Sequence, residues 1–457
     1  MSHVSGGAGW WKSPSPDLVR GSAEVTPGPT QLSCARIAAL LFAATLLASS
    51  AQAATLHVPS DYPTIQAGID AASAGDVVLV APGTYTDFET RNLETSCAFL
   101  KDGVHVESEG GSTVTVIDLL KVDGSAPTAI IAEFLPSEET SVRGFTVEGR
   151  DRGLGAFIWQ CGNMTIQDCL FQNFDGGPIT GGAVILVGNG SIIGSEFVNC
   201  KALSAGAVWF TDGHIDLIGC VFRECHNAAV YGYESGGGTV SATFSDCQFI
   251  GNSSSGGAGG CVVGLAMGQT TIRGCLFKDN LNTGTGAGGL GLGLGPKIVE
   301  DCVFIANGAM GANGQGGGLS GGGSPLIVRS NTFYGNYKTQ SAAAGGAVEF
   351  ATFAFFERNI VVGSQGGAAV ASSGDVDTSC NVYWDNPLGI GIPLAPTDRE
   401  VDPLFCDPAI YDLTLRTGSP CLPDDPLGCG LIGALGQGCG TVHVDESSWG
   451  KIKSLYR

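Results

Sequence analysis

Two carboxylates and an imidazole, Asp212, Glu234 and His214, fall close in sequence to the aromatic residues Trp209 and Tyr231. A pair of carboxylates can serve as acid and base at a glycosidic bond, or hold a calcium ion. Aromatic rings beside them can stack on the apolar faces of sugars. Trp159 offers the same kind of ring earlier in the chain. The plainer alternative is that the acids are solvated turn residues and the rings lie under loops. Spacing excludes other chemistries. No Cys-x-x-Cys pair occurs, which removes zinc ribbons and thioredoxin-like sites. Gly316, Gly318 and Gly321 match a dinucleotide-binding spacing by letter only, because no helical pattern follows them. There is no phosphate-binding loop.

The elements that would position these residues come from a repeat. Segments of the type Thr-Ile-Gln-Asp-Cys-Leu-Phe recur, with marks at Phe145, Phe171, Phe197, Phe222, Phe249, Phe277, Phe304, Phe333, Val361 and Tyr383. Successive marks are 22 to 29 residues apart. Each period also carries a glycine-rich entry into an apolar strand, as at Val184, Val208, Val230 and Val262. Short strands at this period, without a helical pattern, mean a solenoid whose turns bury their apolar sides on one another. The column before the Cys position is Asp168, Gly194, Gly219, Asp246, Gly274, Asp301, Ser330 and Arg358. Gly and Asp suit a left-handed bend there, so turn geometry explains these aspartates better than calcium or acid–base work. The next column, Cys169, Ser195, Cys220, Cys247, Cys275, Cys302, Asn331, Asn359 and Asn381, forms a ladder of small polar side chains. If the strand valines point inward, Ile185, Trp209, Tyr231 and Val263 point outward, with Trp159 one turn earlier.

This pattern resembles the right-handed parallel β-helix of the pectin-lyase-like superfamily, whose tight turn carries an Asn ladder. The stretches VPSDYPTIQAGIDAA (58–72) and GDVVLVAPGTY (75–85) resemble its amino-terminal cap and first turn. Asp402-Pro-Leu-Phe405, Leu413-Thr-Leu, Ser419-Pro-Cys421 and Gly433-Ala434 resemble the closing turn of secreted bacterial members. The resemblance implies an all-β solenoid of about ten turns, with a short capping helix from about Pro63 to Ala72 that Asp61 or Ser60 would cap. The expected organisation is a leader over 1–53, a cap and first turns over 54–140, repeats over 141–390, a Cys-rich closing turn over 391–440 and a basic tail over 441–457. The enzymes of the superfamily imply more than is present. A pectate lyase would show an arginine base near calcium-binding acids, but Arg223 and Arg273 lie outside the aromatic column. The Asp-rich signatures of polygalacturonases and the catalytic segment of pectin methylesterases are absent.

Composition fixes the setting. Of 457 residues, 72 are Gly and 43% are hydrophobic; 43 acidic residues against 22 basic ones give a net charge of −21. Such a surface cannot neutralise phosphates, so nucleic acid is excluded as a partner. Arg36, the apolar run 37–47 and Ala51-Gln52-Ala53 read as an export leader cleaved after Ala53. That run is too short to span a membrane, and no longer one follows. Export permits disulfides. Cys200 and Cys225 on adjacent turns form one candidate pair. Cys380, Cys406, Cys421, Cys429 and Cys439 are candidates near the carboxyl end, with connectivity open. No cofactor is implied; calcium is the one cation that paired acids could hold. The expected function is a secreted or cell-surface protein in non-catalytic contact with an extracellular polysaccharide, or a structural rod or adhesin. The alternative is a polysaccharide lyase or glycoside hydrolase.

Overall fold

The computed structural model describes residues 53–119, 127–135, 139–176, 181–233, 240–255, 262–264, 268–339, 345–424 and 426–440. Its strands coil into a solenoid of about 12 turns with three parallel faces. The count exceeds the ten sequence marks because the first turns, beginning at Thr55–Val58 and Val77–Val80, carry no Cys-x-Phe segment. Strands such as Val208–Thr211 and Val230–Tyr233 stack into the first face, and His214–Ile218 and Ser241–Ser245 into the second. Val221–Arg223 and Gln248–Ile250 belong to the third, a sheet of thirteen strands. A helix, Ile65–Ala71, packs Ile65 and Ile69 against the first strands. Its cap is Thr64, whose hydroxyl accepts from Ala67 N–H at 3.1 Å, rather than Asp61 or Ser60. Asp61 instead turns back to accept from His57 N–H.

The bend column behaves as its residue types dictate. Asp168, Gly194, Gly219, Asp246, Gly274, Asp301, Ser330 and Arg358 all have φ between 52° and 63°. This left-handed corner lets the chain pass from the second face to the third within one residue. The ladder follows it inside the coil. Asn331, Asn359 and Asn381 each donate Nδ2–H to the next ladder oxygen, at 3.0, 3.1 and 3.0 Å, ending on Asp398. Where Cys stands in the column, the thiol donates to a carbonyl and the sulfur can accept, as Cys302 Sγ does from Cys275 N–H at 3.4 Å. Burial pushes the Cys169 thiol up to about 11 and raises Cys247 and Cys275 as well. These groups stay protonated and unreactive.

A second ladder runs parallel to the first. Asn173, Asn199, Glu224, Gly251, Asp279, Ala306, Gly335, Gly363 and Asp385 form another left-handed column, with φ from 50° to 69°. After it come Cys200, Cys225, Asn252, Asn280, Asn307, Asn336, Ser364 and Asn386. Cys200 and Cys225 are therefore ladder members and not a disulfide. Each thiol donates to a carbonyl of the turn before, Cys200 to Phe171 O and Cys225 to Phe197 O. Between the ladders, the inward residue of the third face is Phe in seven consecutive turns. Phe171 through Phe333 stack with centroids 4.6 to 5.2 Å apart and planes within 10°. The spacing of parallel strands imposes that ring separation.

One inward position of the second face holds a cation. Lys297 is fully buried, its Nζ donating to Gly268 O at 2.9 Å and Thr270 Oγ1 at 3.1 Å. Desolvation pushes its amine down to about 8 from 10.5. The unfolded chain therefore holds more protons than the folded one between those values, and stability rises as pH climbs through the window. Lys297→Met should remove that slope and raise stability at pH 7.5 by about 1–3 kcal/mol. Urea midpoints of both proteins at pH 7.5 and pH 10 check this; parallel midpoints would contradict it.

The carboxyl-terminal segment lies along the outer side of the third face. Phe405, Leu413, Leu415, Ile432 and Leu435 cover Leu276, Val303, Ile305, Ile360, Val362 and Val382. Gly433 N–H donates to Arg358 O at 2.8 Å and Ala434 N–H to Thr332 Oγ1 at 3.0 Å. Two disulfides hold it: Cys380–Cys429 to the coil, and Cys406–Cys439 within the segment. Cys421 is a buried thiol outside both bridges.

Candidate functional site

The three faces differ in what they show to solvent. The third is covered over its carboxyl-terminal turns by the segment just described. The second carries ion pairs: Arg143 with Asp168 at 3.1 Å, and Arg273 and Arg329 both on Glu300, at 3.5 and 2.6 Å. The first face carries neither a cover nor a charge ladder among the described residues.

Register places one outward column on the first face. Phe157 aligns with Ile185, Ile185 with Trp209, and Trp209 with Tyr231 on four consecutive turns. All four are half-buried. Trp159 is not in that column. It pairs with Val187, two residues along the strand, and its ring lies 5.8 Å from that of Phe157 at 29°. Leu154–Gln167 shifts register directly after Trp159, which is why counting from a repeat mark misplaces it. Phe157 was the missed member. Phe134 adds an exposed ring at the left-handed corner beside Trp159, whose carbonyl accepts its N–H at 2.9 Å.

Of the candidate acids and base, Asp212 and His214 do not lie on this column. Asp212 occupies a left-handed corner, φ 54°, just past Val208–Thr211. His214 lies beyond that corner and opens a strand of the second face. Both its ring nitrogens are engaged, Nδ1 with Ser241 Oγ at 2.7 Å and Nε2 with Asp216 Oδ1 at 3.1 Å. Glu234 lies outside the described residues. No group of three or more His, Cys, Asp or Glu comes together for a metal among the described residues.

The same outward column continues as Gly291, Ser320, Glu349 and Ala371. Here the side chains shrink and a cleft of about 400 Å³ opens, lined among others by Leu292, Gly321, Glu349, Ala351 and Ser373. Glu349 Oε2 faces Lys338 Nζ at 3.7 Å and accepts from Gly316 N–H at 3.3 Å. Lys338 is 7% exposed. This acid and amine are the polar groups that sequence reasoning passed over. The signal was present: Glu349 follows Val348 just as Trp209 follows Val208.

Residues 205–383 match the family described as "Right handed beta helix region". The chain folds as a right-handed parallel β-helix. Solved β-helices similar to it include the mannuronan C-5 epimerase AlgE4 A-module of Azotobacter vinelandii, 17% identical, TM-score 0.41, covering 74% of this chain and 95% of that one. The surface adhesin PfbA of Streptococcus pneumoniae is 13% identical, TM-score 0.44, with coverage of 77% and 96%. Pectate lyase Pel9A is 13% identical, TM-score 0.39, with coverage of 85% and 97%. No curated protein sequence matches the chain. No helix among the described residues of this β-helix is long and apolar enough to cross a membrane.

Proposed function

We propose that this β-helix is an exported protein that holds an extracellular polysaccharide on its first face without cleaving it. The observation that carries the reading is the outward column Phe157, Ile185, Trp209 and Tyr231, three aromatic rings and one aliphatic side chain on four successive turns of the sheet. The leader over 1–53 and the two disulfides support export. The test is retention and turnover of a polysaccharide panel by the purified mature chain, with and without calcium. Retention on at least one glycan is expected, weakened about tenfold by Trp209→Ala, with no new reducing ends or unsaturated products. Absence of retention on every glycan would overturn the reading.

One observation favours a lyase or hydrolase instead. Glu349 lines a cleft on the same face, with the nearly buried amine of Lys338, from the strand Tyr337–Lys338, 3.7 Å behind its carboxylate. Cleavage abolished by Glu349→Gln would put that reading first. Cleavage lost instead with Asp212→Ala or Glu234→Ala would move the chemistry toward the aromatic column.

A further inference from the structure

The first face is distinguished by what its strands lack. From Glu94–Phe99 through Leu154–Gln167, Val208–Thr211 and Val230–Tyr233 to Ala368–Ser372, no first-face stretch contains a Lys, Arg or His. The other two faces hold Arg143, Arg223, Arg273, Lys278 and Arg329 within their strands. The charges in those strands are acidic: Glu94 in the first of them, Glu133 beside Trp159 in register, and Glu349 in the cleft; Arg91, on the short strand hydrogen-bonded to Glu94–Phe99, is itself paired with Asp70 and Glu89. Lys338, the cation nearest the cleft, faces Glu349 and is almost wholly buried. The chain as a whole stands at −21. A polyanion laid along this face would meet like charge without a counter-charge, at separations within a Debye length of about 8 Å.

Resting on the glycan-binding reading above, we infer that the ligand of the first face is an uncharged polysaccharide and that polyuronates are rejected. Stacking on Phe157, Trp209 and Tyr231 needs only the apolar side of a sugar ring. Beyond them the column continues through Gly291, Ser320, Glu349 and Ala371, small side chains except for Glu349, whose carboxylate is held by the nearly buried Lys338 and would repel a second carboxylate.

The experiment is retention of the full mature chain on immobilised neutral β-glucan, mannan and galactan, and on pectate and alginate. Each is measured at low and at moderate salt, with calcium and with a chelator. Retention is expected on a neutral glycan, unchanged by salt and lowered about tenfold by Trp209→Ala. On pectate and alginate none is expected in the chelator, while Ile185→Lys, which sets a cation into the column, should give salt-sensitive retention there. Chelator-resistant uronate retention that Trp209→Ala abolishes would overturn the inference while leaving the glycan reading intact. Retention on no polysaccharide would take down the glycan reading itself, and the inference with it.

Discussion

Phe249→Ala is expected to lower the unfolding free energy by about 3–5 kcal/mol. Phe249 is fully buried at the middle of the ring stack, 4.8 Å from Phe222 and 4.9 Å from Phe277. Its loss leaves both neighbours without a partner on one side. The turns of a solenoid touch only their neighbours, so a cavity in the centre weakens two interfaces at once. Urea unfolding of the mature chain measures it, with Phe353→Ala as the reference, since Phe353 is 45% exposed. Equal midpoints for the two variants would contradict the claim that the stack holds successive turns together.

Asn307→Ala should cost at least about 3 kcal/mol, although it removes less volume than the phenyl deletion. Asn307 Nδ2 donates to Phe277 O and to Asn336 Oδ1, both at 2.9 Å. Its Oδ1 accepts from Asn280 N–H at 3.1 Å and Asn280 Nδ2–H at 2.9 Å. Truncation removes a partner from several buried polar groups on the two flanking turns, each worth about 1–3 kcal/mol when unsatisfied. Asn307→Cys should cost clearly less, because Cys225 fills the same column and donates its thiol to Phe197 O. Thermal unfolding of the pair decides it. If Ala and Cys are equally harmful at position 307, the equivalence of thiol and amide in the ladder fails.

These two positions show why parts of the fold were legible and others were not. The first bend could be read because its column is nearly all Gly and Asp, the types that tolerate a left-handed backbone. The second bend carries the same signal, since all its members but Glu224 and Ala306 are Asn, Gly or Asp; those two are held in the same φ by the closing of the coil. The second ladder was visible three residues after each Phe, in Asn252, Asn280, Asn307 and Asn336. Cys200 and Cys225 belong to that same column, and spacing cannot tell a bridge from two stacked thiols. The carboxyl-terminal cysteines could be grouped from sequence. Their pairing, and the lateral path of that segment over Leu276 to Val382, depend on long-range packing that no local pattern encodes.

The candidate site divides in the same way. Trp209 and Tyr231 were readable because strict alternation follows each strand valine. Trp159 was displaced by an irregular register, while Asp212 forms the corner itself and His214 lies past it, a bend that sequence distance does not report. Glu349 sat in the readable column and was overlooked because its neighbours along it are small rather than aromatic.

The most direct test of the aromatic column as the ligand surface is tryptophan fluorescence of the mature chain titrated with the glycan that retains it. Trp209 is half-buried on the first face, and Trp384 is 44% exposed on the third. The account predicts a saturable change in emission that Trp209→Ala removes and Trp384→Ala leaves in place. A saturable change that survives Trp209→Ala and disappears with Trp384→Ala would put the ligand on the other side of the coil and contradict it.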